Sequence, residues 1–152
     1  LPRAPAGGGA PGATALDSGP IRAVRSERVL LVEDDTDVLR TLWRQLEHLG
    51  YRVVPATAAE EAMRIIRKDA AIDLLVTDIG LAGGRSGLEL VRDAIRHRPA
   101  LGLLLLTGNT AAAPEGEVEG VPVLAKPADL GTLSRALRAA LQARAAASGA
   151  NT

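Results

Sequence analysis

Cysteine is absent from this chain of 152 residues. Its absence excludes disulfide frameworks and thiolate metal sites, and it fits a reducing compartment, so we expect a cytoplasmic protein. Long hydrophobic runs are lacking as well. The longest aliphatic stretch, Leu103 to Leu106, is far shorter than the ~20 apolar residues that span a bilayer, so we expect no membrane contact by this segment.

An excess of charge of one sign is also missing, because 18 basic residues balance 18 acidic ones. Such a chain has no broad electrostatic field to attract nucleic acid. Phenylalanine is absent, and the arginines of the predicted helices have no matching aromatic residues that would stack on bases. We therefore expect no nucleic-acid partner.

The chain does have a hydrophobic fraction of 47%, enough for the core of one compact domain. Ala, Gly and Pro dominate residues 1–26, a composition typical of a flexible linker. We predict one folded domain over residues 27–146 and a disordered tail over residues 147–152.

Short aliphatic runs alternate with segments of helical period, which is typical of βαβ units around a parallel sheet. Proline indicates the strand order, because it cannot donate to a hydrogen-bond ladder and is confined mainly to sheet edges. Pro55 and Pro122 lie in the second and fifth predicted strands. We predict an α/β fold, a flavodoxin-like doubly wound (βα)5 domain whose parallel five-stranded sheet has the order 2-1-3-4-5. The predicted strands are Val29 to Val32, Arg52 to Pro55, Ile72 to Thr77, Leu101 to Leu106 and Val121 to Ala125.

Two helix starts carry the sequence of a capping box, in which two residues satisfy each other's backbone amides. The pairs are Thr57 with Glu60 and Ser86 with Glu89. The segment from Asn109 to Gly120, in contrast, holds a proline and two glycines, so the fourth helix is predicted to be short or irregular.

Polar residues follow four of the predicted strands, at the edge where ligands of doubly wound sheets bind. They are Glu33-Asp34-Asp35 after the first, Asp78 at the end of the third, Thr107 after the fourth and Lys126 after the fifth. Because carboxylates gathered so closely repel one another, we expect them to bind a hard cation, and oxygen ligands suit Mg²⁺. Asp78 would then attack a phosphoryl group whose other oxygens Thr107 and Lys126 hold.

Four segments together carry a family resemblance: Val29-Leu-Leu-Val-Glu-Asp-Asp35, Leu75-Val-Thr-Asp78, Leu105-Leu-Thr-Gly108 and Leu124-Ala-Lys-Pro127. In order and spacing they resemble the signature segments of CheY-like response-regulator receiver domains of two-component systems. The resemblance implies a partner that is a histidine kinase or a histidine phosphotransfer domain. It also implies a domain that catalyses its own phosphorylation and dephosphorylation without being a turnover enzyme.

The resemblance assigns roles to single positions. It implies that Asp78 is the phosphoacceptor, that Thr107 is the switch hydroxyl, and that the peptide between Lys126 and Pro127 is cis. Asp35 is expected to help begin the first helix. The implied Mg²⁺ ligands are Asp34 and Asp78 directly, Glu33 through water, and Gly80 through its backbone carbonyl.

This sequence departs from the family pattern at positions that affect how phosphorylation is passed on to a conformational switch or a partner. Ala82 stands where proline is usual, in a loop one residue longer than the commonest form, as is frequent in receivers fused to histidine kinases. Val123 and Ala128 replace the aromatic residues of the usual switch. The interrupted fourth helix removes part of the face by which many regulators pair, so we expect a monomer.

Several readings are left open. The chain could be a stand-alone regulator, a regulator with an output domain, or the C-terminal receiver of a hybrid histidine kinase, which Leu1-Pro-Arg-Ala4 favours by its similarity to the end of many kinase ATPase domains. A pseudo-receiver that is never phosphorylated is one alternative function. A haloacid-dehalogenase-like phosphohydrolase is another, although Asp35-Thr-Asp37 matches only the first element of its pattern.

Overall fold

The structure is a computed structural model that describes residues 20–108 and 116–150, with side chains described as far as residue 143. Within these residues, six strands form one sheet with four helices around it. The strands are β1 Arg28–Val32, β2 Arg52–Ala56, β3 Ile72–Asp78, β4 Gly102–Thr107, β5 Gly116–Val118 and β6 Val121–Ala125. The helices are α1 Thr36–His48, α2 Ala59–Lys68, α3 Gly87–His97 and α4 Leu130–Ala150.

The sheet order is β2-β1-β3-β4-β6-β5. The parallel order of the five predicted strands is confirmed, but the five-stranded sheet is wrong by one strand, because β5 pairs antiparallel with β6. Pro55 does lie in an edge strand, whereas the strand of Pro122 is covered on both sides. The parallel ladder with β4 begins only at Val123, so Pro122 precedes it and its missing amide breaks no bond to β4.

Two hydrophobic clusters cover the two faces of the sheet. Helices α2 and α3 pack on one face, where Ile66 and Leu90 are buried against β1 and β3. Helices α1 and α4 pack on the other, and their leucines show the predicted spacing of three or four residues. None of the helices in the two described stretches is long and apolar enough to cross a membrane.

The helix starts explain part of this arrangement. Asp35 caps α1 by accepting from the amides of the next turn, as expected. The capping box of Ser86 and Glu89 is confirmed. The box of Thr57 with Glu60 is wrong, because α2 begins after Ala58 and the amide of Thr57 donates to Glu61 instead, at 2.9 Å.

The predicted domain bounds differ from the structure at both ends. Helix α4 continues past residue 146 to Ala150, so most of the predicted tail is helical. Residues 21–24, placed in the predicted linker, form hydrogen bonds with residues of both α1 and α4. The amide of Ile21 donates to the buried Ser134 hydroxyl at 3.0 Å, and the amide of Ala23 donates to the Leu49 carbonyl at 2.7 Å. Residues 1–19 of the predicted linker lie outside the described residues.

The expected short fourth helix falls between β4 and β6. Residues 109–115 of that segment lie outside the described residues, and residues 116–118 form β5. A turn at Glu119 and Gly120, both with positive φ, joins β5 to β6. Within the described part of the segment, the chain thus forms a strand and a turn rather than a helix.

Candidate functional site

The carboxyl ends of the parallel strands bring the candidate residues to one edge of the sheet. Strand β1 delivers Glu33 and Asp34, and β3 ends in Asp78, which lies in register with Leu106 of the neighbouring β4. Thr107 closes β4 and Lys126 follows β6. The amide of Lys126 donates to the carbonyl of Thr107 at 2.8 Å and joins the last two of these ends.

Three carboxylates form the centre of the site. Glu33, Asp34 and Asp78 each offer one oxygen, and these oxygens all lie within 4.8 Å of one another. Glu33 is 1% exposed and Asp78 is 8% exposed, so two of the three negative charges are largely removed from water. Buried carboxylates at this separation repel one another unless a cation neutralises them. The cluster could therefore hold a metal ion with oxygen ligands.

Lys126 supplies positive charge to the same cluster. Its Nζ atom lies 2.6 Å from Glu33 Oε1 and 3.2 Å from Asp78 Oδ1. Burial lowers the pKa of Lys126, but the hydrogen bond to Glu33 and the charges of Asp78 and Glu33 outweigh it, so the pKa lies above its usual value. Burial also raises the pKa of Glu33, and the bond to Lys126 offsets only part of that rise.

Backbone amides hold two of the carboxylates in place. Glu33 Oε2 accepts from the amide of Asp35 at 3.2 Å. Asp34 Oδ2 accepts from the amide of Ala82 at 3.1 Å, so a loop 48 residues away in the sequence contacts this carboxylate. The predicted ligand Gly80 lies beside Asp78, since a Cβ added at Gly80 would be 3.9 Å from Asp78 Oδ2. Gly80 thus lies close to the cluster.

Thr107 and Pro127 also lie at this edge. Thr107 is buried at the end of β4, and the peptide between Lys126 and Pro127 is cis. The structure thus brings all the predicted site residues to one edge of the sheet.

Two residues of the site were missed by the sequence reasoning. The buried Thr77 hydroxyl donates to the Asp78 carbonyl at 3.1 Å. Gly87 begins α3 so close to β3 that an added Cβ would lie 1.9 Å from the Asp78 carbonyl oxygen. A hydroxyl residue before a strand-end aspartate, and a glycine directly after a capping serine, were the available signals.

A mostly apolar cleft of about 450 Å³ lies beside the site, between α1 and the segment after β6. Ala128 lines it together with Leu42, Leu124 and Leu133, and Lys126 of the site also lines it. The small side chain at position 128 helps to keep this cleft open, since an aromatic ring there would occupy part of it. Val123, the second replaced aromatic position, is half-buried in β6 and packs against the cluster of α2 and α3.

Comparisons with known proteins place these features in context. A family model described as the response regulator receiver domain matches residues 29–138. The virulence sensor protein BvgS of Bordetella pertussis is 37% identical over 114 residues, which cover 72% of this chain and 9% of that protein. The response regulator receiver protein CpdR of Brucella abortus is 35% identical over 104 residues, which cover 66% of this chain and 85% of that protein.

The chain spans 27% of the transcriptional regulatory protein GlrR of Escherichia coli, to which it is 30% identical. Solved structures agree with the sequence matches. A receiver domain protein from Clostridium thermocellum superposes with a TM-score of 0.68 at 26% identity, over 77% of this chain and 95% of that one. The receiver domain of the hybrid histidine kinase CckA superposes with a TM-score of 0.61 at 32% identity, over 76% of this chain and 99% of that one.

Proposed function

The chain belongs to the response regulator receiver domain family of two-component signalling, and we propose that it accepts a phosphoryl group from a phosphohistidine onto Asp78. The observation that carries this proposal is the place of the Asp78 carboxylate. It lies at the end of β3, among the oxygens of Glu33 and Asp34, and within 3.2 Å of the Lys126 ammonium. A nucleophile, a cation site and a fixed positive charge therefore meet at one strand end.

The donor set fits Mg²⁺. Its side-chain oxygens come from Glu33, Asp34 and Asp78, with the backbone carbonyl of Gly80 as a further candidate, and all-oxygen ligation is what this hard ion prefers. When bound, Mg²⁺ would supply positive charge against the oxygens of the transferred phosphoryl group.

The transfer itself is carried by the residues of the chain. An oxygen of the Asp78 carboxylate attacks phosphorus, a P–O bond forms, and the P–N bond to the donor imidazole breaks. The imidazole keeps the electron pair of that bond and takes a proton from solvent. Lys126 and Thr107 bind the phosphoryl oxygens. Attack by water later releases inorganic phosphate and restores the Asp78 carboxylate.

The output is proposed to differ from an aromatic-coupled switch. Val123 and Ala128 offer no ring that could move with Thr107. The domain then either passes the phosphoryl group to a further protein or keeps it on Asp78 and so draws phosphate away from the donor. We propose that the domain is monomeric and binds no nucleic acid. Receiver domains act with histidine kinases or phosphotransfer domains, and we propose one of these as the donor.

Phosphorylation of the purified chain tests the acceptor. Radiolabelled acetyl phosphate should label the wild type only with Mg²⁺, and Asp78→Asn should abolish the acid-stable, base-labile label of an aspartyl phosphate. Asp73→Asn is a matched control on the same strand, because Asp73 accepts from the Arg28 amide far from the site and asparagine can do the same. Undiminished label on Asp78→Asn would refute the assignment, and a wild type that takes no label would favour the pseudo-receiver.

We further propose that the chain is the receiver of a hybrid histidine kinase. Its likeness to the receiver domain of the hybrid histidine kinase CckA, and to sensor proteins such as BvgS, supports this proposal. The coding sequence upstream of Leu1 tests it, since an open frame with the ATP-binding motifs of a kinase is expected there. A stop codon or an unrelated domain in that frame would exclude the hybrid.

A further inference from the structure

The loop after Asp78 contacts the carboxylate of Asp34 through one backbone group. The amide of Ala82 donates to Asp34 Oδ2 over 3.1 Å. Ala82 is exposed and lies outside any helix or strand, so its amide would otherwise bond to water. Asp34 is half-buried and belongs to the three-carboxylate cluster. A loop on one strand end thus bonds to the acidic group of another.

The shape of the loop makes this contact possible. Gly83 and Gly84 follow Ala82 with φ of 68° and 49°, a region in which side chains are strained. A Cβ added at Gly84 would also lie 3.1 Å from an oxygen of Glu60, on the neighbouring helix α2. Glycine at these two positions therefore lets the chain turn back after Ala82 without strain or crowding.

The contact restrains the orientation of the Asp34 carboxylate. The torsion at the end of an aspartate side chain is broad, so a strand-end aspartate samples many orientations. A charge-assisted hydrogen bond to a backbone amide favours one of them. We propose that the Ala82 amide is a positioning group for Asp34, holding its carboxylate in the orientation in which it converges with Glu33 and Asp78 on a divalent cation. This inference rests on the proposed function for the identity of the cation.

The proposal depends on an amide hydrogen at position 82. Proline, the residue usual in the family here, has none and could not make the bond. The bond also joins the loop to the cation site, so binding of the ion and ordering of the loop favour each other. Metal ligands are commonly held by such partners, and removing one typically weakens metal binding by roughly 10- to 100-fold.

Calorimetric titration with Mg²⁺ measures the effect. Ala82→Pro should bind Mg²⁺ roughly tenfold more weakly than the wild type. Ala82→Ser keeps the amide hydrogen and should bind Mg²⁺ as tightly as the wild type. Circular dichroism without metal shows whether each variant is folded. Equal affinity in wild type and Ala82→Pro would overturn the inference while leaving the proposed function standing. A wild type that binds no Mg²⁺ would instead contradict the cation site and the inference with it.

Amide hydrogen exchange of the metal-free chain gives a second measurement, which does not depend on the folding of Ala82→Pro. The exposed Ala82 amide should exchange slowly in the wild type and several-fold faster in Asp34→Ala. The amide of Gly108, on a different strand end, serves as the internal reference. An Ala82 amide that exchanges at the same rate in both proteins would show that Asp34 does not hold it, and would overturn the proposal.

Discussion

The ammonium of Lys126 lies 2.6 Å from Oε1 of Glu33, a carboxylate that is only 1% exposed. Among the described residues, the Glu33 carboxylate accepts one further hydrogen bond, from the amide of Asp35. Lys126 therefore provides most of the compensation for the buried negative charge of Glu33. Lys126 also forms an ion pair with the phosphoacceptor Asp78. The same ion pair holds Lys126 close to where a phosphoryl group would arrive.

Lys126→Met should accordingly destabilise the metal-free fold by about 2 kcal/mol, because Glu33 loses the partner of its buried charge. Urea unfolding at neutral pH measures this difference. Lys68→Met is the matched control, since Lys68 is the only other lysine and is exposed on α2. Because the pKa of Lys126 is raised above 10.5, its stabilisation is complete below that pH and is lost as pH rises through the folded value. The gap between wild type and Lys126→Met should therefore close at high pH, and a gap independent of pH would contradict the ion pair.

Much of the fold could be predicted because its causes are local. Short stretches of sequence determine the strand and the helix of each βα unit. A parallel sheet then brings the carboxyl ends of all its strands to one edge. Glu33, Asp78, Thr107 and Lys126 were placed together for this reason alone. The chemistry of the site followed from which residue type stands at each strand end.

The remaining features depend on contacts between distant parts of the chain. Strand β5 pairs with β6 across the turn at Glu119 and Gly120, inside a segment whose composition indicated only a broken helix. The bond from Ala82 to Asp34 needs a loop conformation that no periodicity encodes. The predicted cap of α2 differs because the helix begins after Ala58, so that Glu61 rather than Glu60 is its third residue and accepts from the Thr57 amide.

Tyr51→Phe should stabilise the protein. Tyr51 is 3% exposed, and its hydroxyl is buried without a hydrogen-bond partner among the described residues. Removing an unsatisfied buried hydroxyl is expected to raise the free energy of unfolding by about 1 kcal/mol, which urea unfolding at neutral pH would show. A less stable Tyr51→Phe would mean that the hydroxyl does have a partner.

Ionisation of Tyr51 should lower the free energy of unfolding at alkaline pH. Burial raises the pKa of Tyr51 above 10.0, so the folded chain binds the phenol proton more tightly than the unfolded chain. Its contribution is complete below pH 10.0 and falls as pH rises through the folded pKa. Because the chain has one tyrosine, phenolate absorbance follows this group directly. A phenol that titrates in the folded chain as in a free peptide would contradict the prediction.

Gly87→Ala should displace the phosphoacceptor. The added Cβ would lie 1.9 Å from the Asp78 carbonyl oxygen, so either α3 or the end of β3 must move. We expect a loss of about 3 kcal/mol of stability and, in any chain that still folds, a large loss of labelling by acetyl phosphate. Gly108→Ala is the control, since the nearest atom to its Cβ among the described residues would be Lys126 Cε at 3.9 Å. Equal labelling of Gly87→Ala and Gly108→Ala would show that the approach of α3 does not position Asp78.

The segment before β1 should contribute to the stability of the domain. Residues 21–24 bond to both α1 and α4, through the Ile21 amide to Ser134 and the Ala23 amide to Leu49, and the Arg138 guanidinium donates to the Arg22 carbonyl. Deleting residues 1–25 should therefore lower the free energy of unfolding by about 2 kcal/mol, at about 1 kcal/mol for each of the two amide bonds. Deleting residues 1–19 alone keeps those bonds and should leave the stability near that of the full chain, so urea unfolding of the two truncated chains measures the contribution of the segment directly.

Ser134→Ala, which removes the acceptor of the Ile21 amide, should lower the free energy of unfolding by about 1 kcal/mol in the full chain and by less in the chain that lacks residues 1–25. If both truncated chains unfold at the same urea concentration, the segment is a linker as its composition indicated, and the domain begins at β1.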